Sequence, residues 1–320
     1  GFSKPVMITH SNVLHNTDAI LDAFHLKRTE IRCVSWLPLY HDMGLVGAFL
    51  GAVVADCILY LIRPEKFIGH PFLWLKAISD HKINVTVAPN FAYGLCTRRI
   101  SEDQIKELDL SSLEVALCGA EMIHPQTLEN FIDKFKGCGL NETVLTPVYG
   151  LAESALAVTF CDTKAKIHWQ NFEQSSVQTG ARVKARSDGI GVRLASVGRP
   201  IKATQVKICG DSGEDLPLGY VGIIWVNSPS VMKGYFQLPK DTGEALVNGW
   251  LKTGDIGFFH EEELFICGRK KEIMIIRGQN YDPTWVERSL LDVSEIREGC
   301  AVAFSSYSES KASEALFMAG

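Results

Sequence analysis

Residues 113–150 read LEVALCGAEMIHPQTLENFIDKFKGCGLNETVLTPVYG. The segment LEVALCGA is short and apolar at consecutive positions, as in a strand buried on both faces. PQTLENFIDKF opens on proline and places Leu128, Phe131, Ile132 and Phe135 on one helical face. TVLTPVYG is again strand-like and apolar. A strand–helix–strand unit with buried strands builds a parallel sheet covered by helices.

The same alternation extends upstream. Ser11 is the expected N-cap of a helix running to about His25. It is followed by a strand in CVSWL, a helix from about Asp42 to Val54, and a strand in CILYLI. PFLWLKAISDH then reads as a helix, NVTVAP as a strand and FAYGLCTRRI as a helix. After about Val197 the texture changes. TQVKICGDSGEDLPLGYVGIIWVNS predicts two strands joined by a Gly/Asp turn, and GWLKTGDIGFFHEEELFICGR predicts further β structure. GRKKE marks a boundary near Lys271, beyond which IMIIRGQNYDPTWVERSLLDV predicts a strand, a loop and a helix. The fold class is therefore α/β, with mostly parallel sheets flanked by helices plus a β-rich subdomain. The start of a small α+β C-terminal domain follows.

Composition narrows the function. With 46% hydrophobic and 22% charged residues the chain can bury a large core, and a formal charge of -5 offers no broad basic field for nucleic acid. Nine cysteines with no CxxC pair argue against a zinc ribbon or disulfide framework and fit a reducing, cytoplasmic setting, as does the lack of a charged-then-apolar leader. GFSKPVMITHSN begins inside a motif and EALFMAG stops inside a strand-like run, so a fragment cut at both ends is expected. WLPLYHDMGLVGAFLGAVVADCILYLIRP (36–64) is apolar enough to raise a membrane span, with Gly47 and Gly51 as a GxxxG pair. Asp56 would lie deep in hydrocarbon, and the ADC break divides the run, so a helix lying close to a sheet is the expectation.

In parallel sheets ligands sit beyond the carboxyl ends of the strands, where LPLYHD, CGAE, VYGLAE and TGD fall. Gly1 followed by Lys4 fits the tail of a phosphate loop or an ordinary turn. Tyr149, Gly150 and Glu153 offer a ring, a flexible glycine and a carboxylate for Mg2+, or simply a helix start. Asp255 could accept from a ribose diol or stand in a β-turn, and Arg269 could add a planar contact or a surface ion pair. Singly, each bland reading is the stronger.

Together, GFSKPVMITHSN, LPLYHDMGLVG, CGAE, VYGLAE, SVGRP, GYVGIIWV, MKGYF, WLKTGDIG and GRKKEIMIIRGQN follow the ordered core motifs of adenylate-forming enzymes. The chain resembles that superfamily over essentially its whole length. It is most similar to the fatty acyl-AMP ligases through LPLYHDMGLVG, VAPNFAYGLC and the long connection from Cys161 to Ala195.

The resemblance implies a ligase with ATP and Mg2+ as cofactors, a long-chain fatty acid as substrate and an acyl carrier protein or carrier domain as partner, in lipid metabolism or a polyketide or lipopeptide line. It implies residues 1–270 as the large domain, with 1–160 α/β, 161–195 an insertion and 196–270 β-rich, and 271–320 as the start of the small domain. In that family the insertion would restrain the small domain and disfavour CoA; otherwise it is a tolerated surface loop.

By the same resemblance Gly1 and Lys4 match the phosphate loop and His41 the histidine near the acyl carboxylate. Gly119, Ala120 and Glu121 match the strip along adenine, Tyr149 the ring on its other side, and Glu153 the Mg2+ ligand. Asp255 and Arg269 match the ribose pair, Lys271 the hinge, and Gly278 the loop facing the thiol channel, where Asp282 replaces the usual aromatic. Met43, Phe91 and Tyr93 are taken for the acyl pocket. The family's late lysine would lie past Gly320, so the chain alone is expected to adenylate poorly. An acyl-CoA synthetase and a non-catalytic nucleotide- or lipid-binding homologue stay open as alternatives.

Overall fold

The computed structural model describes residues 4–270, 274–276, 279–281, 283–288, 302–308 and 313–319. Strands Val85–Ala88 and Val115–Cys118 are buried at every position and occupy the middle of a seven-stranded sheet. Its order is Arg199–Pro200, Ala157–Phe160, Leu145–Gly150, Val115–Cys118, Val85–Ala88, Arg32–Ser35, Ile58–Leu61. The last five run parallel, and the first two add antiparallel strands at one side. Ile58–Leu61, which is apolar in sequence, is half exposed because it lies at the sheet edge.

Helices His10–Ala23, Phe72–His81, Asn90–Arg99 and Pro125–Phe135 accompany this sheet, and Pro125–Phe135 coincides with the predicted segment. The first helix is capped by Thr9, not Ser11. Thr9 Oγ1 accepts the Asn12 N–H at 3.1 Å while Asn12 Oδ1 accepts the Thr9 N–H at 2.9 Å, a reciprocal pair that Ser11 could not form from inside the first turn. A short helix at Pro64–Gly69 was not foreseen.

Behind the sheet, Trp36 stacks on Phe67 at 3.8 Å, and Trp74, Tyr93 and Phe131 continue the aromatic core edge-to-face. The apolar run of 36–64 forms a π-type helical stretch, Met43–Leu50, continued by an α-turn, Gly51–Ala55, and closed by Asp56 in a left-handed conformation. Among the described residues no helix is long and apolar enough to cross a membrane. Gly47 and Gly51 do not simply bring this helix onto the sheet; both line a cavity.

The segment 161–195 is not an unstructured loop. Trp169–Phe172 pairs with Val192–Ala195 and with Ala185–Arg186 in a three-stranded antiparallel sheet. Phe172 is fully buried, edge-on to Phe258 at 4.9 Å and Phe265 at 5.4 Å, in the β-rich part. Arg193 reaches Glu129 on helix Pro125–Phe135 through two nitrogens at 2.7 and 3.2 Å. The β-rich part is a five-stranded antiparallel sheet of Gln205–Cys209, Gly222–Asn227, Leu246–Val247, Trp250–His260 and Glu263–Arg269. Beyond it lie strands Met274–Ile276 and Gln279–Tyr281 and helix Pro283–Arg288, so the predicted strand and helix are present. Lys271, Gly278 and Asp282 lie outside the described residues, as does Gly1.

The SVGRP motif has a steric reason. Gly198 has φ +79°, and a Cβ there would overlap the Phe160 carbonyl and the Cys161 amide. Gly189 has φ +74° with open space around it. Gly198→Ala is therefore expected to cost about 3 kcal/mol in chemical denaturation, and Gly189→Ala only about 1 kcal/mol.

Candidate functional site

The carboxyl end of strand Leu145–Gly150 brings Tyr149 against the β-rich part. The Tyr149 hydroxyl donates to Asp255 Oδ2 at 2.6 Å, and Arg269 Nε donates to Asp255 Oδ1 at 2.8 Å. Asp255 and Arg269 are direct cross-strand partners in the hairpin Trp250–His260/Glu263–Arg269, so the sheet register itself sets this ion pair. The Asp255 N–H donates to Thr253 Oγ1 at 3.0 Å, which orients the turn. Burial holds the Tyr149 phenol well above its ordinary pKa and the Asp255 carboxylate adds to it, so the hydroxyl remains a donor.

CGAE follows strand Val115–Cys118. A Cβ on Gly119 would stand 2.8 Å from the Val148 carbonyl, and Ala120 takes φ +68°, an unusual backbone for a residue with a side chain. Glu121 Oε1 accepts the Phe91 N–H at 2.6 Å; burial raises the Glu121 pKa and that bond opposes it. Gly150 has no room for a Cβ, which would overlap the Leu156 carbonyl.

Glu153 sits in the turn after Gly150 and its Oε1 accepts the Tyr235 hydroxyl at 2.7 Å. The turn is anchored by Asn16, fully buried, whose side chain bonds Ala157 N–H and the Ser154 and Ala157 carbonyls at 2.9, 3.2 and 2.9 Å. Lys4 lies 5.0 Å over the Tyr235 ring and is ion-paired with Asp241, whose pKa it lowers. Neither Asn16 nor Tyr235 was singled out in the sequence. Tyr235 carried a signal as part of MKGYF; Asn16 carried none, because an asparagine inside an amphipathic helix looks like a solvated one.

Two cavities meet here. The larger, about 610 Å3, is walled by apolar residues including Ile20, Phe24, Val85 and Phe160, with His41, Asp42, Met43 and Glu153 also in its lining. The smaller, about 390 Å3, is lined by Glu121, Asp255 and Gly268 among others. Ala120, Val148, Tyr149, Gly150 and Arg269 line both. Of the expected acyl-pocket residues only Met43 is in the larger cavity. Tyr93 is 1% exposed in the aromatic core, its hydroxyl on the Leu117 carbonyl at 2.8 Å, and Phe91, 42% exposed, lies edge-on to Trp36. Lys4 lies in neither lining and joins the site through Tyr235.

His41 Nδ1 is 2.8 Å from Asp42 Oδ1, and this contact raises the His41 pKa against a smaller effect of burial. Asp42 thus favours the imidazolium. Asp42→Asn is expected to return the His41 titration toward the ordinary histidine range, read directly by proton NMR.

Among the described residues no group of three or more His, Cys, Asp or Glu could by itself hold a metal. The Glu153 carboxylate has one oxygen taken by Tyr235, and the other has no hydrogen-bond partner among the described residues. One carboxylate suits a cation held chiefly by phosphates and water.

The model of the family described as AMP-binding enzyme matches residues 1–236. The long-chain-fatty-acid–AMP ligase FadD23 of Mycobacterium tuberculosis is 32% identical over 91% of this chain and 53% of its own length. The medium-chain-fatty-acid–[acyl-carrier-protein] ligase TtuA of Teredinibacter turnerae is 34% identical over 94% of this chain and 50% of its own. The crystal structure of a fatty acyl-adenylate ligase from L. pneumophila in complex with acyl adenylate and pyrophosphate superposes with a TM-score of 0.81 at 35% identity, over 98% of this chain and 56% of that one. The chain spans about half the length of the curated relatives it matches. The ordered motifs, the sheet that brings them to one crevice and the match over residues 1–236 agree: the chain belongs to the AMP-binding enzyme family and has the adenylate-forming fold.

Proposed function

We propose that this chain carries the nucleotide- and acid-binding crevice of an enzyme that activates a long-chain fatty acid with ATP and passes the acyl group to the phosphopantetheine thiol of an acyl carrier protein. The observation that carries the reading is the shared wall of the two cavities: a larger chamber with a mainly apolar wall, suited to an alkyl chain, opens at Tyr149 and Arg269 beside a smaller one whose wall carries the Glu121 and Asp255 carboxylates. Each methylene moved from water into the larger chamber contributes about 0.8 kcal/mol, and the Asp255–Arg269 pair stands in the wall of the smaller one.

Tyr149 offers its ring to adenine, with the backbone at Ala120 and Glu121 on the other side. Asp255 has spare acceptor capacity for the ribose diol, because each of its oxygens is engaged only once by the bonds named above. Arg269 adds a guanidinium to the wall shared by both cavities. His41, whose pKa Asp42 raises, sits where the fatty-acid carboxylate would enter.

In the proposed step a carboxylate oxygen forms a bond to the α-phosphorus as the bond to the β-phosphate oxygen breaks. The electron pair leaves on pyrophosphate. The residues bind, orient and exclude water, and Glu153 would hold Mg2+, which neutralises charge on the phosphates when bound. The relatives' names support the substrate and carrier classes.

The test in the intact enzyme is fatty-acid-dependent exchange of labelled pyrophosphate into ATP, followed by product analysis. Acyl transfer to a carrier thiol with little acyl-CoA is expected. Ready accumulation of acyl-CoA contradicts the carrier assignment, and no exchange with any fatty acid contradicts the whole reading.

A further inference from the structure

The MKGYF tyrosine is tied to more of the site than its place in a two-residue strand requires. Gly234–Tyr235 pairs antiparallel with Val6–Met7, in the register Val6↔Tyr235 and Met7↔Gly234. On either side the Phe236 N–H donates to the Pro5 carbonyl at 2.8 Å and the Lys233 N–H to the Met7 carbonyl at 3.0 Å. The Tyr235 N–H donates to Thr242 Oγ1 at 2.9 Å. The backbone of Tyr235 is therefore held from three directions.

That anchoring aims the side chain. Its hydroxyl reaches Glu153 Oε1 at 2.7 Å, and its ring lies under the Lys4 ammonium at 5.0 Å. Lys4 is in turn paired with Asp241 at the start of helix Pro239–Ala245. A cation over the ring draws electron density from the phenol and makes its O–H a stronger donor.

We propose that Tyr235 is a positioning residue for the cation of the nucleotide: it holds Glu153 Oε1 and so presents the other carboxylate oxygen to the metal, coupling the strand that follows Lys4 to the metal ligand. This rests on the reading of Glu153 as the Mg2+ ligand. Left without the phenol, the Glu153 carboxylate would be free to rotate about its terminal torsion, and the metal would have to order it on binding. Tyr235→Phe removes only the hydroxyl and keeps the ring beneath Lys4.

The experiment measures binding of a non-hydrolysable ATP analogue to the full protein by calorimetry, once with Mn2+ and once with a chelator. The ratio of the two affinities is the gain due to the metal. Thermal midpoint is measured alongside. For Tyr235→Phe we expect that gain to fall about fivefold, with metal-free affinity and thermal midpoint close to wild type. A merely structural tyrosine would instead lower both affinities or the midpoint together, which overturns the proposal. A gain that is unchanged or larger in Tyr235→Phe while Glu153→Gln loses it also overturns the proposal and leaves the Glu153 assignment standing. A full gain retained in Glu153→Gln removes the metal assignment, and the proposal with it.

Discussion

Asp255→Ala is expected to weaken binding of ATP by roughly a hundredfold while changing fatty-acid binding by less than about twofold. The carboxylate stands at a crossing: Tyr149 on one oxygen, Arg269 on the other, and the smaller cavity alongside. Removing it deletes the acceptors proposed for the ribose diol. Two hydrogen bonds to a charged group lost together are worth about 3 kcal/mol, a hundredfold in Kd. It also leaves the Tyr149 hydroxyl, in a largely buried residue, without its acceptor, so the folded state should lose a further ~1–3 kcal/mol. Calorimetric titration with an ATP analogue and chemical denaturation read the two effects separately. Asp255→Asn keeps an acceptor and removes the charge, and should fall between wild type and alanine in both. Unchanged nucleotide affinity in Asp255→Ala would remove Asp255 from the nucleotide site.

The second large effect is selective for chain length. Ala52 is buried and lines the larger cavity with Gly47, Ala48, Gly51 and Ala55, a run of small residues on the helical stretch 43–55. Small side chains there leave the chamber its volume. Ala52→Phe would fill space that the alkyl tail is proposed to occupy. If about four methylenes lose their apolar contact, the loss is ~3 kcal/mol, on the order of two hundredfold for a long-chain acid. A short acid that does not reach Ala52 should bind as before. Affinities for a homologous series of fatty acids give this directly. An equal loss at every chain length would instead mean that the ring has disturbed the packing in general.

Much of the architecture could be read from residues because of how the sheet is covered. Val85–Ala88 and Val115–Cys118 are apolar at each position since helices shield both faces, and that pattern marks a central strand. Pro125 with Leu128, Phe131 and Phe135 announces its helix at both ends. Local pattern was silent where the decisive contact is distant. Thr9 outcompetes Ser11 as a cap through a side-chain pair with Asn12, and Asn12 also reaches the Pro229 carbonyl at 2.6 Å.

Phe91 and Tyr93 failed as cavity residues for a related reason. They follow the strand Val85–Ala88, but the phase of helix Asn90–Arg99 turns Tyr93 into the aromatic core and leaves Phe91 at its edge, partly exposed against Trp36. Sequence spacing shows that a helix is amphipathic, not which side of a sheet receives it. The site residues came from ordered motifs, and their meeting depends on register. Asp255 and Arg269 are fourteen residues apart yet face one another across a hairpin, and Tyr149 arrives from a different sheet. The Glu153–Tyr235 bond joins residues 82 apart in sequence and has no local signature.

In the proposed reading, two adjoining chambers hold the two ends of a single acyl-adenylate. A crystal structure of the protein with a long-chain acyl-sulfamoyl-adenosine tests it most directly. The adenosine is expected against Tyr149 with its ribose at Asp255, and the alkyl chain running past Met43 toward Phe24 and Phe160. An analogue bound outside both chambers, or seated at Tyr149 with its tail in solvent, would contradict it.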